Sequence, residues 1–146
     1  MQRAMSATHR FIYKATNGRV GGRMRRGRVL LLTTIGRRSG EKRTLPLIYV
    51  NDGDALVVIA SNGGRPRHPT WFLNLQAHPE AEVRIGPETR RVRFRVAEGA
   101  DRERLWSRAV EVYPGYETYR KRTDRQIPVV VLDPIDATSS GAEASN

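Results

Sequence analysis

The stretch VLLLTTIGRRSGEKRTLPLIYVNDGDALVVIA, residues 29–60, decides the fold. It opens with an apolar, β-prone run at Val29–Ile35 and passes through the turn Gly36-Arg37-Arg38-Ser39-Gly40. A second run follows at about Thr44–Val50. Asn51-Asp52-Gly53-Asp54 is then a strong hairpin signal, because these residue types tolerate the positive φ of tight turns. Ala55–Ala60 is the returning strand. Strands joined by turns this short run antiparallel.

The same logic extends downstream. Ser61–His68 is a loop, and Pro69 occupies the place of a first helical residue, with the helix running to about Ala77. Strands at Ala81–Ile85 and Arg90–Ala97 flank Gly86-Pro87. In the second of these, Val92, Phe94 and Val96 alternate with Arg91, Arg93 and Arg95, which predicts one buried and one wet face. Asp101 is expected to cap a helix to about Val112 whose Leu105, Trp106 and Ala109 form a core stripe. Pro114-Gly115 breaks it, a short helix carries Tyr116 and Tyr119, and Ile127–Leu132 is the last strand. Six strands with helices inserted irregularly between them point to a mainly β fold: an antiparallel barrel with peripheral helices.

The 146 residues suit one domain. Three parts are expected: a basic N-terminal helix or arm (1–28), the barrel (29–134) and a small, polar, disordered tail (135–146). With no cysteine there can be no disulfide, zinc-thiolate site, iron–sulfur cluster or cysteine nucleophile. No apolar run approaches the length of about 20 residues that a membrane helix needs, and no signal peptide is visible, so a soluble cytoplasmic protein is expected. The net charge of +11 is unevenly placed. Residues 1–40 hold ten basic side chains and no acidic one, whereas the remainder carries 16 basic and 15 acidic residues. The N-terminal end therefore suits an anionic partner: a phosphorylated cofactor, a nucleic acid or a lipid headgroup.

Several chemistries can be set aside. Gly36–Lys42 is not a phosphate loop, since its glycines are four apart and Glu41 stands in the lysine position. There is neither a Gly-x-Gly-x-x-Gly nor a Gly-x-Ser-x-Gly motif. His9, His68 and His78 lack metal-ligand spacing and read as surface or packing residues, and no metal is expected.

Three constellations remain. In residues 33–47 a strand empties into a turn with four cations, Arg37, Arg38, Lys42 and Arg43. That is either an anion cradle of backbone N–H groups and arginine forks or a solvated hairpin tip, and spacing does not choose. The glycine loop after Ala60 and the helix beginning near Pro69 offer donors to a planar polar ring. Trp71 and Asn74, three apart, share a helix face. The competing reading makes Trp71 and Leu75 core and Asn74 a satisfied polar neighbour, and on spacing alone that packing reading is the stronger. Tyr113, Tyr116 and Tyr119, each three apart, either pack together or place phenols beside a pocket, where one can donate a proton.

Taken together, the segments LLLTTIGRRSGEKRTLPLIYV, DGDALVVIASNGGRPRHPTWFLNLQAHPEAEV and YPGYETYRKRTDRQIPVVVL resemble the deazaflavin-dependent nitroreductase family over roughly residues 9–134. The resemblance implies a split β-barrel, the deazaflavin coenzyme F-420, with FMN the lesser alternative, and hydride transfer to a quinone, enone or nitro-type acceptor. It also implies that Arg37, Arg38, Ser39 and Arg43 hold the coenzyme's phosphate and polyglutamate tail, with Thr44, Leu45, Pro46, Leu47 and Ile48 running beside it. Ala60, Ser61, Asn62, Thr70, Trp71, Phe72 and Asn74 would hold the ring. Tyr116, aided by Ser61, Tyr113 or Tyr119, would orient the acceptor or protonate it.

Two rivals belong to other classes. One is a non-catalytic binder of a flavin-like cofactor. The other is a nucleic-acid-binding module built on the basic arm and the Arg91/Arg93/Arg95 face, for which no aromatic-basic recognition motif speaks, so no dedicated nucleic-acid role is expected. Phe11, Ile12 and Tyr13 among cations also suit peripheral contact of residues 1–28 with an anionic membrane, for example beside lipid-soluble quinones. The oligomeric state stays open.

Overall fold

A computed structural model describes residues 28–135. The expected N-terminal helix or arm up to residue 27, with its membrane contact, and the C-terminal tail from Asp136 lie outside these residues. In chain order the elements are β1 (Arg28–Ile35), β2 (Lys42–Asp52), β3 (Ala55–Ile59), a single 3-10 turn (Asn62–Gly64), α1 (Thr70–Ala77), β4 (Glu80–Ile85), β5 (Glu88–Val96), α2 (Gly99–Val112), α3 (Gly115–Arg122) and β6 (Val129–Pro134). The strands close into one antiparallel barrel in the order β1-β2-β3-β6-β5-β4. Among the described residues no helix is long and apolar enough to cross a membrane.

The unbroken apolar runs of β3 and β6 have a direct explanation. Leu56, Val58, Val130 and Leu132 face the barrel interior with Leu30, Leu32, Val83, Val92 and the α1 residues Trp71, Phe72 and Leu75. Ala55, Val57, Ile59, Val129 and Val131 face outward, under Leu105, Trp106 and Ala109 of α2 and Tyr116 of α3. A strand buried on both faces loses the apolar-polar alternation of a half-wet one. The two strands are therefore a wall between an inner and an outer core. Each fully buried Leu or Val on either side contributes roughly 1.5–3 kcal/mol.

Four expectations need correction. Pro69 is the N-cap of α1, in extended backbone, and its carbonyl accepts the N–H groups of Phe72 and Leu73 at 3.0 and 3.3 Å. Asp101 does not cap α2, which begins two residues earlier. Its carboxylate instead lies in the first turn, where the helix dipole favours negative charge, and takes the Arg104 guanidinium at 2.7 Å. Val96 does not share the burial of Val92. It is the last residue of β5, at the rim of the barrel, and is 36% exposed. The last strand also starts later than expected, because Pro128 has no N–H to give the ladder.

The feature that shapes the site is a gap in the wall. β2 pairs with β1 along its length, from Arg28↔Tyr49 to Ile35↔Lys42. It meets β3 only over Val50–Asp52. Beyond that contact the two strands diverge. Among the described residues, the stretch from Arg43 to Tyr49 thus pairs on one side only. Pro46 sits within it, as prolines in sheets do where one edge is unpaired.

Candidate active site

The gap between β2 and β3 opens into a cleft of about 1390 Å³. That exceeds the roughly 300–1,000 Å³ of a site for one drug-sized ligand. Its sides are the open edge of β2 from Arg43 to Ile48, the loop after β3 from Ser61 to Arg65, the start of α1, and the tyrosines Tyr113, Tyr116 and Tyr119. Among the described residues, Arg43, Arg65 and Arg122 line it and no carboxylate does. A large ligand that is flat, apolar on its faces and negatively charged at its periphery fits these surfaces.

Most residues singled out in the sequence meet here. Arg43, Thr44, Leu45, Pro46, Leu47, Ile48, Ser61, Asn62, Thr70, Trp71, Asn74 and the three tyrosines line the cleft. Arg37, Arg38 and Ser39 stand exposed on the β1–β2 turn, outside its lining. The turn is tied to the cleft through Arg43, whose Nη2 donates to Ser39 Oγ at 3.3 Å while its Nη1 reaches Glu41 at 3.2 Å. Ala60 is wholly buried in the inner core, beside but not within the lining. Phe72 points away from the cleft, packing edge-on against Phe94 with ring centroids 5.9 Å apart. Trp71, one residue earlier, therefore presents the aromatic face of α1 to the cleft, and Phe72 backs it at 6.4 Å.

Asn74 serves packing and site together. It is nearly sealed from solvent, and its Nδ2 donates to the buried Thr34 Oγ1 at 3.0 Å. Its Oδ1 accepts the Arg37 backbone N–H, also at 3.0 Å. One amide thus joins α1, β1 and the arginine turn. Asn74→Ala would strand both partners, and a loss of about 2 kcal/mol is expected in urea unfolding, with the slope against denaturant unchanged. Asn74→Asp keeps acceptors for the Arg37 N–H and for a turned Thr34 hydroxyl, and its cost is instead that of a carboxylate nearly sealed from solvent.

The tyrosines are not equivalent. Tyr113 and Tyr119 bond to one another through their hydroxyls at 2.9 Å. Tyr116 lies between them, its ring edge-on to Tyr113 at 4.9 Å. Burial first, then the two neighbouring phenols, pushes the Tyr116 phenol well above its ordinary value of 10. It therefore stays protonated at any working pH, with an O–H available to donate. The ridge is held from behind by α2, where Trp106 Nε1 donates to Glu117 at 2.8 Å. That bond, and then Arg120, hold the Glu117 carboxyl below its usual range.

Four residues escaped sequence reading: Ile59, Arg65 and Arg122 in the lining, and Arg125 just behind it. Arg122 had a signal, since it follows Tyr119 by three residues on one helix. Ile59 follows from strand parity once the outer core is known. Arg125 had none, because its partners lie about sixty residues away in sequence.

A closed antiparallel barrel, split along one seam by a basic cleft with an aromatic floor, defines the split-barrel class of flavin and deazaflavin proteins. A family model of the F420H2-dependent quinone reductases matches residues 5–134. An F420H2-dependent quinone reductase of Mycobacterium tuberculosis (strain H37Rv) is 42% identical over 128 residues, 85% of this chain and 86% of that protein. A solved F420-H2 dependent reductase superposes with a TM-score of 0.67 at 40% identity, covering 72% of this chain and 93% of its own. A second solved chain, described as a domain-swapped dimer, gives 0.67 at 35% identity over 79% and 94%. The chain belongs to the F420H2-dependent quinone reductase family.

Proposed function

We propose that this protein binds coenzyme F-420 along the open edge of β2 and uses its reduced form to reduce a quinone-type acceptor seated against Tyr116. The observation that carries this reading is the cleft itself, an unpaired strand edge facing a tyrosine ridge, lined among the described residues by three arginines and no carboxylate. The split-barrel fold and the family relationship support the cofactor, and the cleft volume leaves room for coenzyme and acceptor side by side.

The residues divide the work by their chemistry. Arg43, with Arg37, Arg38 and Ser39 on the adjoining turn, meets the phosphate and carboxylates of the coenzyme tail, where guanidinium forks bind bidentately. Arg65 and Arg122 add positive charge on the far side of the cleft. The β2 edge from Thr44 to Ile48 and the backbone N–H groups of Ser61 and Asn62 face the polar rim of the ring, with Ala60 behind them, its own N–H and carbonyl taken by Pro128 and Arg125. Thr70, Trp71 and Asn74 close its other side, with Phe72 behind Trp71. When bound, reduced F-420 supplies a hydride, two electrons with one proton. The acceptor oxygen then carries developing negative charge, and the Tyr116 hydroxyl stabilises it by hydrogen bonding while solvent delivers the second proton. Ser61, Tyr113 and Tyr119 complete the wall against which the acceptor is oriented. Enones and nitro compounds, which also develop charge on oxygen after hydride addition, are further candidate acceptors. The basic arm, residues 1–28, provides contact with anionic membrane where such acceptors dissolve.

The test is a titration of purified protein with oxidised F-420 and separately with FMN, following Trp71 and Trp106 fluorescence. Saturation by F-420 at roughly micromolar concentration, with FMN much weaker, is the expected outcome. Preference for FMN would overturn the deazaflavin assignment, and binding of neither would overturn the enzyme reading.

A further inference from the structure

The loop from Ala60 to His68 brings Ser61, Asn62, Gly64 and Arg65 to the cleft, yet its only regular element is one 3-10 turn. Asn62 Nδ2 donates to the Arg67 carbonyl within it at 2.9 Å, and a side chain from the segment between α3 and β6 holds its two ends together. Arg125 donates from Nη2 to the Ser61 carbonyl at 2.8 Å, from Nε to the Arg65 carbonyl at 3.0 Å, and from Nη1 to the Ala60 carbonyl at 3.3 Å. Nη1 also lies 3.0 Å from His68 Nδ1. The guanidinium thereby gathers both ends of the loop around one planar fork.

The histidine contact has a chemical condition. A guanidinium only donates, so Nδ1 must accept, and His68 must be neutral with its proton on Nε2. Protonation puts an N–H on Nδ1 facing the guanidinium and sets two cations together. Arg125 faces His68 from the β6 lead-in and Phe72 from α1, their rings 4.9 Å apart. Among the described residues, the charge that weighs on the imidazole is that of Arg125. We propose that Arg125 is the positioning residue of the cleft loop, and that His68, as acceptor of its hydrogen bond, makes coenzyme binding sensitive to acid. This deepens the reading of the cleft as a coenzyme site and rests on it.

Two physical facts set the range. Burial, and then Arg125, hold His68 below the ordinary value of 6.5, so the clamp is intact at neutral pH and opens only in more acid solution. The linkage sign agrees. The unfolded chain takes up this proton at a higher pH than the folded one, so acid also subtracts from stability below 6.5.

The experiment measures F-420 affinity by tryptophan fluorescence at about pH 7.5 and about pH 5.5, either side of an unperturbed histidine. It compares wild type, His68→Asn and Arg125→Lys. Asparagine puts a carbonyl oxygen near the place of Nδ1 and does not titrate, and any titration of the coenzyme itself cancels between variants. Wild type is expected to lose affinity in acid by a larger factor than His68→Asn, which should match it within about twofold at neutral pH. Arg125→Lys keeps the charge that attracts an anionic ligand but not the fork, so weaker binding by roughly tenfold at neutral pH is expected. An acid loss in His68→Asn equal to that of wild type would overturn the pH role. Affinity of Arg125→Lys within about twofold of wild type would overturn the positioning role. Should wild type fail to bind F-420 even at neutral pH, the coenzyme reading falls and this inference with it.

Discussion

Gly64→Ala should lower the thermal midpoint by about 10–20 °C and weaken coenzyme binding in whatever fraction still folds. Gly64 has φ +80, and a Cβ built there would lie 2.8 Å from the Tyr119 carbonyl oxygen and 3.0 Å from the Arg122 Cβ. The backbone conformation and the close approach penalise alanine separately, each by about 1–3 kcal/mol, for a total of about 3 kcal/mol or more. Neither neighbour can swing aside, since the first contact is the main chain of α3. Relief must come from moving α3 away from the loop, and α3 carries Tyr116 and Tyr119. Differential scanning calorimetry measures the first effect and an F-420 titration the second. A midpoint within about 2 °C of wild type would mean that loop and helix are not in contact in solution.

Tyr116→Phe should lower kcat for quinone reduction on the order of a hundredfold while leaving F-420 affinity within about twofold. The hydroxyl has no hydrogen-bond partner among the described residues, whereas those of Tyr113 and Tyr119 have each other. Removing it leaves the ring packed against Tyr113 and Trp106 and creates no buried orphan, so the midpoint should stay near that of wild type. Because burial raises the Tyr116 phenol, wild-type kcat should show no limb from this group below its ordinary value of 10. Tyr119→Phe is the contrasting variant, since it breaks the pair with Tyr113 and should act through acceptor KM. Equal kcat in Tyr116→Phe and wild type would remove the phenol from the reaction.

Much of the barrel was readable because its signals are local. Asn51–Asp54 and Gly86-Pro87 announce hairpins, Val92 and Phe94 alternate with arginines, and the β3 and β6 runs are apolar because both faces are covered. The barrel itself was expected from six turn-linked strands, but the strand pairings that close it were not readable. Closure rests on pairings such as Val57↔Val131, between segments no local pattern connects. The same divide runs through the candidate site. Turn residues, a helix start near Pro69 and the tyrosine spacing leave marks within a few residues of each other. Which of the two buried rings, Trp71 or Phe72, borders the cleft depends on where α1 meets the barrel, which periodicity does not give. Arg125 is further removed still, reading as one basic residue among many until the chain folds back on itself.

The open edge of β2 has an evolutionary consequence. A ligand whose rim meets main-chain amides is recognised by atoms that every residue type except proline supplies alike. Substitutions at Thr44, Leu47 or Ile48 can alter the shape of the adjoining acceptor space while leaving those amides in place. With the coenzyme seated there as proposed, such a scaffold can change the compound it reduces without first having to reinvent its grip on the coenzyme. Diversification would then concentrate in the tyrosine ridge and the side chains around it, while the seam persists as inherited infrastructure.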